Sequence, residues 1–382
     1  MQLLQLGFRP FYALAAVFAI VAIIVWMASF AGFSGTGGYL HGLAWHSHEM
    51  LFGFATAVIA GFLLTAVRNW TGLETPTGLA LATLAGLWLA ARVLIITGPI
   101  ALASIVDVFF LPALTIAVAI PIVRSANRRN YKIIGVLLAL AICHGIFHLA
   151  SQGYVPAGLS RTSIFAAIDI VVILLAIVAG RVIPAFTKNA VPESNPRHEG
   201  WVEAVTFVSM ALIAVLTLVS GSWTPPTMLL TGLLLIAAAA HATRLSLWDP
   251  VRTVRNPLLW IMPAAYSWIA FAFLLRALAL SGVVPVGTWI HAVTMGAVSG
   301  LMIAMMMRSS LGHTGRELVA SRTDMSIFLL IQLAAVVRII GSIAAGETYR
   351  YWIVAAGFLW CLAFLLFALR YVPMLVRARV KV

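Results

Sequence analysis

Twelve stretches of roughly twenty predominantly apolar residues follow one another along the chain, and a run of that length is what a helix needs to cross the hydrocarbon of a bilayer. They run from Phe11 to Phe33, Met50 to Val67, Thr77 to Ile96, Ala101 to Val123, Ile133 to Ala150, Thr162 to Phe186, Trp201 to Ser220, Pro226 to Leu247, Leu258 to Leu280, Trp289 to Met307, Met325 to Ala345 and Trp352 to Leu369. Only "TGPI" (Thr97 to Ile100) parts the third from the fourth. Of the 382 residues 63% are hydrophobic and 9% charged, far below the roughly 25% charged of soluble domains. The expected fold is therefore all-α: one polytopic domain over 1–382, held in a lipid bilayer, with no soluble domain appended.

A net charge of +13 raises nucleic acid as a partner, but the basic residues gather at alternate helix ends, as the positive-inside rule describes. With the N-terminus inside, 19 of the 24 lysines and arginines fall in cytoplasmic segments, from Arg9 through Arg128 and Arg129 to Lys381. Both termini are thus expected inside, and no nucleic acid is expected as a partner. The first stretch is too long for the core of a signal peptide and is expected to be retained. Cys143 and Cys361 lie within spans and form no CxxC or CxxCH, which argues against covalent haem attachment.

Similar segments recur every four spans: "AVIAGFLLTAV" (Ala57 to Val67), "AIVAGRVIPAF" (Ala176 to Phe186) and "AVSGLMIAMMM" (Ala297 to Met307). Their glycines, Gly61, Gly180 and Gly300, are 119 and 120 residues apart. Three four-helix repeats, 1–130, 131–255 and 256–382, are the expectation. In architecture this resembles the catalytic subunit of the haem-copper oxidases, whose twelve helices form three pseudo-symmetric arcs.

Ionisable groups inside a bilayer are costly and mark paired or functional sites. Most of them are expected in the outer half: His46, His48, Glu49, Arg92, Asp107, His144, His148, Asp169, Arg276, His291 and Arg338. The three arginines have two compatible readings. They can pair with Asp107, Asp169 and Glu49, or their forked guanidinium groups can meet haem propionates. His144 and His148, four apart in "CHGIFH", share a helical face and can share a metal ion. His46 and His48, two apart, point to nearly opposite sides of a helix and cannot jointly grip one ion. His48 and His291 open corresponding spans, each with a glycine five residues on (Gly53, Gly296), and suit the two axial positions of a haem. Glu49, Asp107 and Asp169 are candidate proton carriers. Trp45 and Trp289 fit an interfacial aromatic belt, and Met305 to Met307 fit ordinary packing.

"GFRPFY" (Gly7 to Tyr12), "AWHSHEMLFGFATAVIAGFLLTAVRNWTG" (Ala44 to Gly72), "HGIFH" (His144 to His148) and "HAVTMGAVSGLM" (His291 to Met302) together resemble the NnrS family. The resemblance covers essentially the whole chain, and its most specific element is the WHxHEMxFG block. It implies a bacterial multi-pass inner-membrane protein containing haem b and copper, associated with denitrification and with resistance to nitric oxide; on that resemblance copper is expected at His144 and His148, with His46 or His41 as the candidate third ligand. Nitric oxide is then the expected partner, with an electron donor unspecified and catalytic conversion an open matter. Two other classes compete: a secondary transporter of a small solute, since twelve spans with both termini inside is also a transporter plan, and a membrane scaffold or cofactor-insertion protein.

Overall fold

Within hydrocarbon a backbone must satisfy its own hydrogen bonds, so apolar runs of this length become helices. The computed structural model describes residues 2–33, 38–344 and 346–380. It contains twelve helices long and apolar enough to cross a membrane and, among the described residues, no strand. This is a multi-pass, all-helical membrane protein. The spans are α1 (Phe8–Phe30), α2 (Gly42–Thr71), α3 (Gly78–Thr97), α4 (Ile100–Arg124), α5 (Arg128–Ser151), α6 (Gly158–Ala190), α7 (Gly200–Val219), α8 (Thr227–Ser246), α9 (Pro257–Leu280), α10 (Val286–His313), α11 (Arg322–Ile343) and α12 (Tyr349–Val376). Ala345, the expected end of the eleventh stretch, and Lys381 lie outside the described residues.

The helix boundaries follow local chemistry. α2 stops where Gly72 takes a left-handed φ of +68°, which a glycine adopts without strain. Gly98 and Pro99, inside "TGPI", turn the chain between α3 and α4. Ser321 and Asp324 form a reciprocal capping box that starts α11. The largest departure from the apolar pattern is α2, which starts at Gly42 rather than near Met50. Hydropathy marks only the greasy part of a helix, whereas this one continues through polar residues, of which His48 and Glu49 bond to neighbouring side chains. His46, His48 and Glu49 therefore sit inside a helix.

The chain divides into two compact units. Unit 1 comprises Met1–Ala167, Ser309–Glu317 and Phe364–Val382; unit 2 comprises Ile168–Arg308 and Leu318–Ala363. In unit 1, α2 packs against α1 and α4, and α4 also against α3 and α5. In unit 2, α8 packs between α7 and α9, and α10 against α9 and α11. Every fourth span is the most enclosed: 83% of the apolar stretch of α2, 83% of that of α6 and 72% of that of α10 is buried, against at most 61% elsewhere. These are the helices that carry Gly61, Gly180 and Gly300.

At each of those glycines another residue comes too near for a side chain. A Cβ on Gly61 would lie 2.8 Å from the Tyr12 ring, one on Gly300 2.7 Å from the Ala265 methyl, and one on Gly180 only 2.1 Å from a nitrogen of the Arg244 guanidinium. We expect Gly180→Ala to cost about 1–3 kcal/mol through overpacking, read as a lower unfolding temperature in detergent. A methyl on Gly232 would meet nothing within 4 Å, so Gly232→Ala should be neutral or slightly stabilising.

Candidate metal centre

Two of the most enclosed helices contain a wide π-helical stretch, and each follows directly on a histidine: Glu49–Ala55 after His48 in α2, and Ala292–Ser299 after His291 in α10. A π turn inserts an extra residue into the helical repeat, changing which side chains face a neighbour, and such turns are frequent at functional sites. In α2 the carbonyl of Gly53 accepts a hydrogen bond from Trp88 Nε1 of α3 at 3.0 Å. A Cβ on Gly53 would lie 2.7 Å from Phe18 and 3.0 Å from Arg92 Nη1, so glycine there lets Arg92 lie against the helix.

Four ligand-type side chains from three helices converge beside this turn: His48 from α2, Asp107 from α4, and His144 and His148 from α5. Asp107 Oδ2 lies 2.9 Å from His48 Nε2, 3.2 Å from His144 Nε2 and 3.1 Å from His148 Nε2. His144 Nε2 is 3.2 Å from that of His48 and 3.1 Å from that of His148. All four are buried. Imidazole nitrogens this close repel unless a proton or a cation lies between them. A tetrahedral ion with bonds of about 2.0–2.1 Å separates its ligand atoms by about 3.3 Å, so the spacing fits a metal ion held by three nitrogens and one carboxylate oxygen.

The surrounding groups orient these ligands. His48 Nδ1–H donates to Glu49 Oε1 at 2.9 Å, which leaves Nε2 with the lone pair that a metal requires. Arg92 ties the carboxylates together, donating from Nη1 to Glu49 Oε1 at 2.8 Å and from Nη2 to Asp107 Oδ1. Tyr39, between α1 and α2, hydrogen-bonds through its hydroxyl to His148 Nδ1. Burial, then the nearby Asp107 and Glu49 carboxylates, pushes the Tyr39 phenol far above its ordinary range, so it stays neutral. Phe52 stacks on His144 at 4.1 Å and Phe147 on His48 at 5.0 Å, walling the cluster with apolar rings. Among the described residues, Glu49 Oε2 and His144 Nδ1 are buried without a hydrogen-bond partner.

The expected site residues thus separate into groups. His144 and His148 do come together, and the third imidazole beside them is that of His48. His46 turns away, its ring stacked on Trp26 at 4.5 Å, and His41 is exposed just ahead of α2. The expected arginine–carboxylate pairs are present for Arg92, as above, and for Arg276, which donates from Nη1 to Asp169 Oδ1 at 2.7 Å and from Nη2 to Thr217 at 2.6 Å. Arg338 instead donates to Ser342 at 2.9 Å and Tyr349 at 3.1 Å, both hydroxyls. His291, in unit 2, donates from Nδ1–H to the Gly287 carbonyl at 2.7 Å, leaving Nε2 as the basic nitrogen. Trp45 and Trp289 are 1% and 5% exposed, so both belong to the protein interior rather than to a lipid-facing belt; Arg276 stacks over Trp289 at 4.4 Å. Met306 and Met307 are fully buried packing residues.

Unit 2 holds a second polar network with no counterpart in the expectations. Arg244 grips Glu203 with two bonds, of 2.6 and 2.7 Å, and donates to the Ala176 carbonyl and the Tyr266 hydroxyl, each at 2.9 Å. Tyr266 in turn lies 2.7 Å from His241 Nδ1, and His241 Nε2 lies 3.1 Å from the sulfur of Met210. Gly180 provides the space for the Arg244 guanidinium, which explains the glycine of the second similar segment.

No curated protein matches the chain. The family model described as NnrS protein matches residues 2–379, essentially the whole length, and the chain accordingly belongs to the NnrS family.

Proposed function

We propose that this chain is a haem- and copper-binding protein of the bacterial inner membrane that handles nitric oxide, binding or converting it as part of nitrosative-stress defence or denitrification. The observation that carries the reading is the buried convergence of His48, Asp107, His144 and His148 in a member of a family whose membership suggests a role in the nitric oxide response. Three imidazoles and a carboxylate, with no sulfur, suit a borderline transition ion such as copper. With both termini inside, as the distribution of basic residues favours, the cluster lies toward the outer side of the membrane. Nitric oxide is small, neutral and soluble in lipid, so it needs no hydrophilic channel to arrive there.

Within this reading the copper ligands are His48, Asp107, His144 and His148, and bound copper supplies a redox-active Lewis acid at that point. Glu49 and Arg92 hold His48 and Asp107 in place, and the Phe52 and Phe147 rings exclude water. His48 cannot offer the same Nε2 to a haem iron at the same time. Haem ligation therefore rests with His291, whose Nδ1–H is pinned to Gly287, and a propionate can be met by Arg338, whose hydrogen-bond partners among the described residues are the hydroxyls of Ser342 and Tyr349. Arg92 and Arg276 already have carboxylates.

The test is an absorption spectrum of the detergent-purified protein, oxidised, reduced, and reduced with nitric oxide, with iron and copper measured on the same sample. A Soret band that nitric oxide shifts, with near-stoichiometric iron and copper, is expected. Colourless, metal-free protein from haem- and copper-replete cells would reject the reading and direct attention to transport.

A further inference from the structure

Three stretches far apart in sequence meet within unit 1: "GFRPFY" (Gly7 to Tyr12) at the start of α1, "HTGR" (His313 to Arg316) at the end of α10, and the tail that follows α12. The first is seated on α2, where a Cβ on Gly7 would collide with the Leu64 side chain and Phe8 N–H donates to the Thr65 hydroxyl at 3.1 Å. Phe8 also meets the His313 ring at 5.4 Å. The tail is fixed to the second stretch, Val380 N–H donating to the Thr314 carbonyl at 3.0 Å. Gly315 beside it has a φ of +73° and no side chain, which lets the Val380 carbonyl and the Arg379 side chain come close. Arg9 closes the junction, donating from Nη1 to the carbonyls of Leu375 and Arg377, each at 2.7 Å.

Arg9 differs from the other buried arginines. Arg92 has Glu49 and Asp107, Arg244 has Glu203 and Arg276 has Asp169. Arg9 is 2% exposed and has no carboxylate among the described residues; the charge that acts on it is that of a second cation, Arg316. Arg379 stands in the same junction, its Nε 3.4 Å from the place a Gly315 Cβ would take, and neither it nor Arg316 forms an ion pair among the described residues. The carbonyls at the end of α12 offset part of the charge on Arg9, since a helix C-terminus carries about half a negative charge. They occupy Nη1 alone. Nε is buried without a hydrogen-bond partner, and Nη2 bonds to no described residue. The Nε–Nη2 edge is one that grips an oxyanion with two parallel hydrogen bonds, and burying such donors unmatched is costly.

We propose that Arg9, Arg316 and Arg379 form a binding site for a phosphate-type oxyanion, gripped by the Nε–Nη2 edge of Arg9 and drawn in by the charges of the other two. The planar guanidinium fork suits phosphate, and arginine keeps its charge at any pH the protein meets. Arg379 is exposed and Arg316 half-buried, so the junction is reached from the aqueous side. With both termini inside, that side is the cytoplasmic one, where basic pockets at helix ends meet anionic headgroups. The phosphate is supplied by an anionic phospholipid or by the free ion. Once bound, it ties the tail to α1 and α10 and offsets the repulsion between Arg9 and Arg316. Neither metal nor haem takes part.

The experiment uses the delipidated full chain in detergent. Phosphatidylglycerol and phosphatidylcholine are titrated in and read by native mass spectrometry; inorganic phosphate is titrated at constant ionic strength and read by calorimetry. Wild-type protein is expected to bind about one phosphatidylglycerol in preference to phosphatidylcholine, or about one phosphate, per chain. Arg316→Gln should weaken that binding about tenfold, and so should Arg9→Lys, which keeps the charge but lacks the fork, because a hydrogen bond to a charged group is worth about that much. Arg255→Gln removes an exposed cation of unit 2 and should leave the affinity unchanged. Should Arg9→Lys fail to accumulate, Arg316→Gln decides alone. Selective uptake of the lipid names the headgroup as the source and uptake of phosphate names the free ion; either supports the site. Binding that Arg316→Gln leaves unchanged, binding that Arg255→Gln weakens equally, or no selective uptake of either anion would overturn it.

Discussion

Replacing His144 with alanine is expected to strip the centre of its metal, lowering affinity by more than about 100-fold, since losing even an outer partner of a ligand costs roughly 10–100-fold. The reason is geometric. His144 Nε2 is the nitrogen that lies close to His48 Nε2, His148 Nε2 and Asp107 Oδ2 alike, so its loss opens the ligand set in the middle. Asp107→Ala should be as damaging, because it also leaves Arg92 with one of its two carboxylates gone. His46→Ala is the control two residues from His48: its ring stacks on Trp26, and the metal should stay. Tyr39→Phe removes only the hydroxyl at His148 Nδ1 and should weaken binding about tenfold. Metal content per chain, measured after dialysis against a graded chelator series, separates these cases.

The second large effect lies in unit 2. Arg276→Met leaves Asp169 buried with its counter-charge gone, and breaking a buried pair from one side costs about 3–5 kcal/mol. Among the described residues Asp169 Oδ2 has no hydrogen-bond partner, and the Thr217 hydroxyl beside it is neutral, so no second cation replaces the lost one. The same substitution removes the stacking of Arg276 on Trp289 and its bond to Thr217. The double variant Arg276→Met, Asp169→Leu buries no charge and should recover most of the loss, which thermal unfolding in detergent would show as a return toward the wild-type midpoint. A double variant no more stable than the single one would mean that the packing of Arg276, and not its charge, holds the helices together.

How much of the structure is legible in the sequence depends on range. The spans can be read because about twenty apolar residues are a local signal, and the break at Gly98 and Pro99 shows that even the short "TGPI" parts α3 from α4. The His144–His148 pair is equally legible, since four residues on a helix always share a face. Pairing of Arg92 and Arg276 with Asp107, Glu49 and Asp169 follows from the cost of leaving a charge alone in a membrane.

The third imidazole is harder to assign. Which of His41, His46 and His48 faces α5 depends on where α2 begins and on a π turn, and neither is written in hydropathy. Asp107 stands out as an acidic residue in a span, but its place among three imidazoles depends on how α4 is rotated. Tyr39 lies outside every span, where a lone tyrosine carries no pattern. The Arg244, Glu203, Tyr266 and His241 network draws on three helices separated by tens of residues, so only the glycine that accommodates Arg244 leaves a trace in the sequence, as one of three recurring glycines.

His48, Asp107, His144 and His148 are expected to hold a metal ion. The most direct measurement is metal analysis with extended X-ray absorption fine structure on the purified full chain and on a variant with His144 and His148 both changed to alanine. About one ion per chain is expected, with nitrogen and oxygen as nearest neighbours, the outer-shell scattering of imidazole rings, and loss of that ion in the variant. A wild-type protein without the ion, or a variant that keeps it with an unchanged ligand shell, would contradict that expectation.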